Sequence, residues 1–347
     1  VMDINPEKVH LLTLDGGGIR GIIPASILAH LETRLQVACK NPEIRIADCF
    51  DLIAGTSTGG ILTCLYLTPD ENNPGRPKYT AAQIRDFYKE YGPSLFHKSL
   101  GYKIVSGLGL FRSRYSDKAL YSFSRRLMGD AYASEVVKDF LVTSYDLSMR
   151  KAVFFSKYNI KKHGKAADYK LADIARATSA APSYFSPARI FARDSTSRHL
   201  VDGGVFAINP SMCAYVEGVK LWPDKPIQDY CMLSVGTGKA IRSYDWEKTH
   251  KFGFIQWMQP IIDILSSSVE ETVDFKMQQL FGAGGVPESY IRIEPPLLSA
   301  DPRMDNGSLK NIEALEEAAR YYIENNEPLF DRIIEGMIGD QCFRSEC

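Results

Sequence analysis

Phe50-Asp-Leu-Ile-Ala-Gly-Thr-Ser-Thr-Gly-Gly60 decides how this 347-residue chain is read. Residues 50–54 form an apolar run suited to a buried strand, which stops at Gly55-Thr-Ser-Thr-Gly59; the helix-compatible run 61–67 follows at once. Strand, tight turn and helix in that order are the setting of a G-x-S-x-G nucleophile elbow. The glycines at 55 and 59 allow the sharp turn and let strand pass close to helix, so that Ser57 stands on a strained corner with its hydroxyl exposed. Ser57 is the first candidate nucleophile. The plain alternative is an ordinary Gly/Ser turn ahead of a helix.

Upstream, Val9-His-Leu-Leu-Thr-Leu14 is apolar enough for a buried parallel strand and runs into Asp15-Gly-Gly-Gly-Ile-Arg-Gly21. Helical spacing of Ile23, Ile27, Leu28, Leu31 and Leu35 follows. A glycine loop between a strand and a helix N-terminus exposes backbone N–H groups beside the positive end of the helix dipole, which makes it an anion site. The anion is either a permanent phosphate or an oxyanion that exists only in a transition state. Gly16, Gly18 and Gly21 satisfy G-x-G-x-x-G, so a nucleotide-binding oxidoreductase is one alternative. A dinucleotide fold also needs a second strand ending in an acidic residue about twenty positions on. Glu43 lies near that distance, but Asn41-Pro-Glu-Ile-Arg-Ile-Ala47 reads as a loop. Gly236-Thr-Gly-Lys239 fails as a Walker loop, with Ala240 at the magnesium position and Leu233 in place of the first glycine.

A third stretch, His199-Leu-Val-Asp-Gly-Gly-Val205, delivers Asp202 to a tight turn after a short apolar approach. Asn209 then caps a helix reaching Lys220, with Pro210 at its first position. By pattern alone, an Asp before Gly-Gly is a turn former bonded to its own backbone, although strand-to-loop junctions are also where catalytic side chains are presented. A serine nucleophile needs a base. Ser57, Asp202 and His250 follow the chain order of an α/β-hydrolase triad, but His250 lies in the charged stretch Glu247-Lys-Thr-His-Lys251. His10, His30, His97, His163 and His199 are no better placed. In a dyad, Asp202 would take the serine proton directly and return it to the leaving alcohol. A carboxylate is a weak base for a hydroxyl, so a dyad leans on an oxyanion hole, which the glycines at 16–18 can provide.

Composition excludes several classes. Lys plus Arg (41) nearly cancels Asp plus Glu (42), leaving a formal charge of -1, so no global field holds the chain on nucleic acid or an anionic bilayer. The 45% hydrophobic content suffices for one large core or two modest ones. Seven cysteines at 39, 49, 64, 213, 231, 342 and 347 are scattered, mostly in apolar runs, which favours reduced thiols and a cytoplasmic location. The chain opens Val-Met, so an upstream leader, and with it secretion, stays open, and the sequon at Asn306 matters only in that case. No stretch reaches the ~20 apolar residues of a spanning helix.

Further along, helices are predicted over 81–91, 117–127, 171–179, 256–281 and 309–325, and strands over 140–145, 153–156, 230–235 and 290–293. The basic run 157–165 reads as a solvated hairpin or loop. Residues 94–115, apolar, glycine-jointed and flanked by Lys98, Lys103, Arg112 and Arg114, read as a loop packed on the core; a mobile lid or a lipid-contact segment is the alternative. No repeat or linker divides the chain, so residues 1–347 form one α/β domain with a mostly parallel sheet.

Asp15-Gly-Gly-Gly-Ile-Arg-Gly21, Gly55-Thr-Ser-Thr-Gly59 and Asp202-Gly-Gly204 together, in that order and spacing, resemble the patatin-like phospholipases. The likeness extends to Thr178-Ser-Ala-Ala-Pro-Ser-Tyr-Phe185, Leu233-Ser-Val-Gly-Thr-Gly238 and Met304-Asp305, and so covers nearly the whole chain. The resemblance implies a three-layer α/β/α fold and a Ser57–Asp202 dyad without histidine. It implies an oxyanion hole from Gly16, Gly17 and Gly18, to which the Thr58 N–H is added, and Arg20 steadying the loop or meeting a head-group phosphate. It also implies hydrolysis of phospholipid or galactolipid acyl esters at a membrane or micelle surface, with neither metal nor cofactor. A catalytically inactive binding protein carrying the same motifs is the remaining alternative. The sequence names no activating partner and no oligomeric state.

Overall fold

The computed structural model describes residues 7–95, 115–239 and 244–339. Most of the 94–115 segment therefore lies outside the described residues. Eight strands make one sheet: β1 (Val9–Leu14), β2 (Leu52–Gly55), β3 (Asp139–Asp146), β4 (Lys151–Ser156), β5 (Ala188–Phe191), β6 (Ser197–Asp202), β7 (Tyr230–Val235) and β8 (Tyr290–Ile293). The order is β5-β6-β3-β2-β1-β7-β8, with β4 on the other edge of β3. Strands β3, β2, β1, β7 and β8 are parallel to one another. Strands β4 and β6 run antiparallel to β3, and β5 antiparallel to β6.

The strand residues alternate between two apolar cores, as a period of two requires when both faces are covered. Leu12, Leu14, Ile53, Phe140, Val142, Leu233 and Val235 enter one core. It is shared with helices α1 (Ile22–Ala38), α2 (Thr58–Leu67), α3 (Ala81–Leu95), α4 (Asp117–Met128) and α5 (Leu171–Thr178). Val9, Leu11, Leu52, Ala54, Leu141 and Met232 enter the other, against α6 (Ser211–Leu221) and the far end of α7 (Phe254–Ala283). Helices α8 (Leu309–Asn325) and α9 (Glu327–Ile338) complete the first layer. The result is the expected three-layer α/β/α arrangement.

One detail of register positions everything that follows. Strand β4 occupies one edge of β3 from Leu141 to Asp146. Strand β2 pairs with β3 at Asp139 to Val142, and β6 pairs at Ser144 to Asp146, so both must lie on the opposite edge. They approach from opposite directions and end facing each other, Gly55 beside Val142 and Asp202 beside Ser144. Only Thr143 separates the two pairings.

Some expectations need correction. The basic run at 157–165 is helical over Lys157–His163, started by the Ser156 side chain accepting from the Asn159 amide at 3.2 Å. Strand β5 and helix α9 were not anticipated. The α6 helix starts at Ser211, with Asn209 Oδ1 accepting from its amide at 2.9 Å. Cys39, Cys49, Cys64 and Cys213 are free, but Cys231 is disulfide-bonded, which corrects the expectation of reduced thiols at that position. No described helix is long and apolar enough to cross a membrane.

A Cβ added at Gly59 would lie 2.0 Å from the Leu14 carbonyl oxygen, where β1 passes the start of α2. Gly59→Ala is therefore expected to destabilise the fold by about 3 kcal/mol or more through forced separation of the two elements. A urea titration with an unchanged midpoint would show that the close approach does not exist.

Candidate active site

Ser57 sits between β2 and α2 with φ 55° and ψ −122°, a region that a non-glycine residue occupies only when its surroundings hold it there. Thr178 at the end of α5 supplies part of that hold, its Oγ1 accepting from the Ser57 amide at 2.9 Å. Thr56 supplies another. Its hydroxyl donates to the Ala207 carbonyl at 2.6 Å and accepts from Thr143 Oγ1 at 2.7 Å, which ties the elbow to the turn after Asp202. On the other side, Thr58 Oγ1 and the Tyr88 hydroxyl of α3 lie 2.5 Å apart.

Asp202 closes β6 beside this elbow. Its amide donates to the Ala180 carbonyl at 3.1 Å, and its Oδ1 accepts from the Gly204 amide at 2.7 Å. The carboxylate thus forms the local turn that the pattern suggested and also faces the Ser57 hydroxyl. Burial pushes its pKa up to about 7, opposed by the Ser57 hydroxyl and the Gly204 amide. No histidine takes part among the described residues. His250 stacks on Trp246 with its Nδ1 against the Trp246 carbonyl, and His199 meets Ser148.

The glycine loop lines the same space. Gly18 has φ +59°, and a Cβ there would lie 2.2 Å from the Met304 carbonyl oxygen, so glycine is required on both counts. The Gly16 amide is already engaged, donating to the Ile208 carbonyl at 2.9 Å, while its own carbonyl accepts from Thr237 Oγ1 at 2.9 Å. Gly16 therefore anchors the loop, whereas no described group accepts from the Gly17, Gly18 and Thr58 amides. Arg20 bonds within this region, with Nη1 donating to the Gly238 carbonyl at 3.1 Å and Nε to the Gly17 carbonyl at 3.5 Å. A dinucleotide would find no acidic side chain at the end of β2, where Ser57 stands. Glu43 is exposed beside Arg45 in the preceding loop.

Behind the loop lies a cluster that sequence inspection missed. Arg292 of β8 donates from Nη2 to Asp15 Oδ2 at 2.6 Å, to Glu270 Oε1 at 2.9 Å and to Glu294, and from Nη1 to Ser234 Oγ at 2.9 Å. Asp15, Glu270 and Glu294 are close enough to one another to hold a cation, and the guanidinium takes that place. Burial raises Asp15 to about 7 and Glu294 to about 8, because one guanidinium cannot balance three carboxylates. Glu294 Oε1 in turn accepts from the Gly238 amide at 2.7 Å. The signal available in sequence was a lone charge within the apolar strand Tyr290-Ile-Arg-Ile293.

Ser57, Asp202 and Gly16 to Gly18 lie at the polar end of a cavity of about 280 Å³. Ile61, Phe87, Tyr88, Leu120, Phe123, Phe185 and Met304 give it apolar walls. An apolar chamber with a few convergent polar groups suits a ligand with a long hydrocarbon part and one polar function.

Fold and chamber together define a three-layer α/β protein with an apolar cavity beside the strand ends. The chain belongs to the patatin-like phospholipase family: the family model described as "Patatin-like phospholipase" matches residues 12–214. Patatin-like protein 2 of Oryza sativa subsp. indica is 34% identical over 353 residues, covering 93% of this chain and 86% of that protein. A Solanum tuberosum protein named "Probable inactive patatin-3-Kuras 1" is 32% identical, covering 92% of this chain and 87% of its own. Among solved structures, human GIVD cytosolic phospholipase A2 aligns with a TM-score of 0.44 at 12% identity, over 96% of this chain and 61% of that one. Family membership supports lipid acyl hydrolase activity.

Arg292→Met would leave the three carboxylates facing one another without a cation. The expected loss is on the order of 3–5 kcal/mol at pH 8, shrinking at pH 5 as the carboxyls take up protons. Melting temperatures at the two pH values check this; an equal loss at both would mean that charge balance is not what Arg292 supplies.

Proposed function

We propose that the chain is a serine esterase that releases fatty acids from phospholipids or galactolipids at a lipid surface, through an acyl-enzyme on Ser57 with Asp202 as base. The observation that supports this most is the strained Ser57 facing a buried carboxylate at the polar end of an apolar chamber. Ser57 Oγ attacks the ester carbonyl while Asp202 takes its proton. The oxyanion receives the Gly17, Gly18 and Thr58 amides. Collapse expels the alcohol, which carries away the proton from Asp202. Water then attacks the acyl-enzyme, giving its proton to Asp202, and the second collapse frees the fatty acid and restores the Ser57 hydroxyl.

A pKa near 7 suits Asp202 to this task better than an ordinary carboxylate would be suited, since a base should titrate close to the working pH. The carboxyl must be ionised to act. Plots of kcat/KM are expected to fall about tenfold per pH unit below 7 and to level off above it. The stability consequence has the opposite sense. A carboxyl whose folded pKa lies above its unfolded value favours the folded state at low pH, and that contribution is lost as pH rises through 7. Asp202→Asn should therefore gain melting temperature over wild type at pH 8 and little at pH 5. An Asp202→Asn difference independent of pH would contradict the raised pKa.

Ser57→Ala and Asp202→Asn should each lower fatty-acid release from phospholipid at least about a thousandfold while both variants stay folded. The rival is a binding protein without activity, a state that the name of the potato relative shows to be considered within this family. A fluorophosphonate probe separates the two. Labelling that disappears in Ser57→Ala supports the esterase, and an unlabelled wild type supports the binder.

A further inference from the structure

The first half of α7 carries a run of exposed apolar side chains. Trp257, Ile261, Ile262, Ile264 and Leu265 are all exposed, and residues 252–269 carry a single charge, Asp263. Residues 261–265 are exposed without a break. Five successive positions go more than once round a helix, so no full side of this stretch is buried, although Ile262 and Leu265 also border the cavity. A water-soluble helix ordinarily buries its apolar side, and an uncovered apolar surface of this kind marks a contact with something else. Trp246, in the helical turn just before α7, is 73% exposed. Its near neighbour Tyr244 donates to Asp263 at 3.4 Å, linking that turn to α7 and engaging the single charge.

The identity of the contact follows from the cavity. Ile262 and Leu265 are exposed on the outside and at the same time form part of the wall above Ser57, as does the exposed Val205. Apolar surface is thus continuous from solvent to the serine. We propose that Trp246, Trp257, Ile261 and Ile264 seat α7 in the surface of a lipid bilayer, so that an acyl chain leaves the lipid along Ile262 and Leu265 and reaches Ser57 without crossing water. This rests on the esterase function proposed above. A second copy or a protein partner on this face would cover the route by which substrate arrives, whereas a bilayer is itself the substrate's source. With one charge on the face and -1 on the chain, binding is driven by apolar burial rather than by attraction to anionic lipid.

The test uses the full chain with Trp257→Asp and Ile261→Asp combined, positions that do not line the cavity. Sedimentation with phosphatidylcholine vesicles is expected to weaken at least about tenfold, and hydrolysis of the vesicle lipid to fall in step. Cleavage of p-nitrophenyl butyrate, a soluble ester, should stay within about twofold of wild type. Wild-type binding should be the same for vesicles with and without phosphatidylserine, and at low and high salt. Unchanged sedimentation of the variant overturns the proposal, as does parallel loss on both substrates. So does a wild-type dimer in light scattering that the variant dissolves, which would assign the face to a second copy. Wild-type failure to cleave the soluble ester would sink the esterase function instead, while sedimentation still decides whether this face meets lipid.

Discussion

The site depends on two strand ends sharing one edge of β3. Strand β2 leaves that edge at Val142 and β6 takes it up at Ser144, so a serine just past one end and an aspartate at the other are brought together by backbone pairing alone. Side chains then fix the joint. Thr143, the residue between the two pairings, donates to Thr56, and a Cβ at Gly203 would lie 2.0 Å from the Thr143 hydroxyl oxygen. Register matters more here than elsewhere in the sheet. A slip of β6 by one residue would turn Asp202 to the opposite face and bring Val201 or Gly203 to the serine, because successive side chains in a strand alternate. The antiparallel entry of β6 on the edge of β3 that the parallel β2 vacates is thus the feature that makes the site.

The same compactness buries charge, and the molecule treats two buried carboxylate sites differently. Asp202 has no cationic partner among the groups that shift it, only a hydroxyl and an amide, and its pKa rises accordingly. Asp15, at the head of the glycine loop, is held by Arg292 yet also lies well above the ordinary carboxylate value, since burial disfavours its charge and nearby Glu270 and Asp274 add repulsion. The cluster is joined to the loop through short links. Glu294 holds the Gly238 amide, Arg20 holds the Gly238 carbonyl, and Thr237 holds the Gly16 carbonyl. An arginine inserted among three acids therefore supports amides that it never touches.

What could be read in the sequence was what the backbone encodes locally. The elbow, the glycine loop and Asp-Gly-Gly announce themselves because tight turns and close approaches restrict residue type within a few positions. Their meeting could not be seen, since the pairing of β6 with β3 joins residues far apart in the chain. Thr178 and Thr237 lay inside stretches noted for resemblance, but which hydroxyl holds which backbone group is a tertiary fact. The Gly16 amide could not be told from those of Gly17 and Gly18 until Ile208 was seen to accept from it. The helix at Lys157–His163 escaped because it buries no residue and so shows no apolar period, its start being set by Ser156. In α7 the helix was legible, but not that Trp257 and residues 261–265 are exposed.

The parts of the site divide along the chain in a way that bears on specificity. The family match at residues 12–214 holds the elbow, the glycine loop, Asp202 and most of the chamber wall. Thr237, Gly238, Glu294 and Arg292, which brace the loop, come after it, and so do Ile262 and Leu265 at the cavity's outer wall. The groups proposed to react lie in the first set, and the second braces the loop that carries some of them. Under the proposed function, Ile262 and Leu265 of the second set would shape the entrance for an acyl chain. If α7 meets lipid as proposed, a change in its exposed part would alter how substrate arrives while leaving Ser57 and Asp202 in place, because only Ile262, Leu265 and Ser266 of that helix line the chamber.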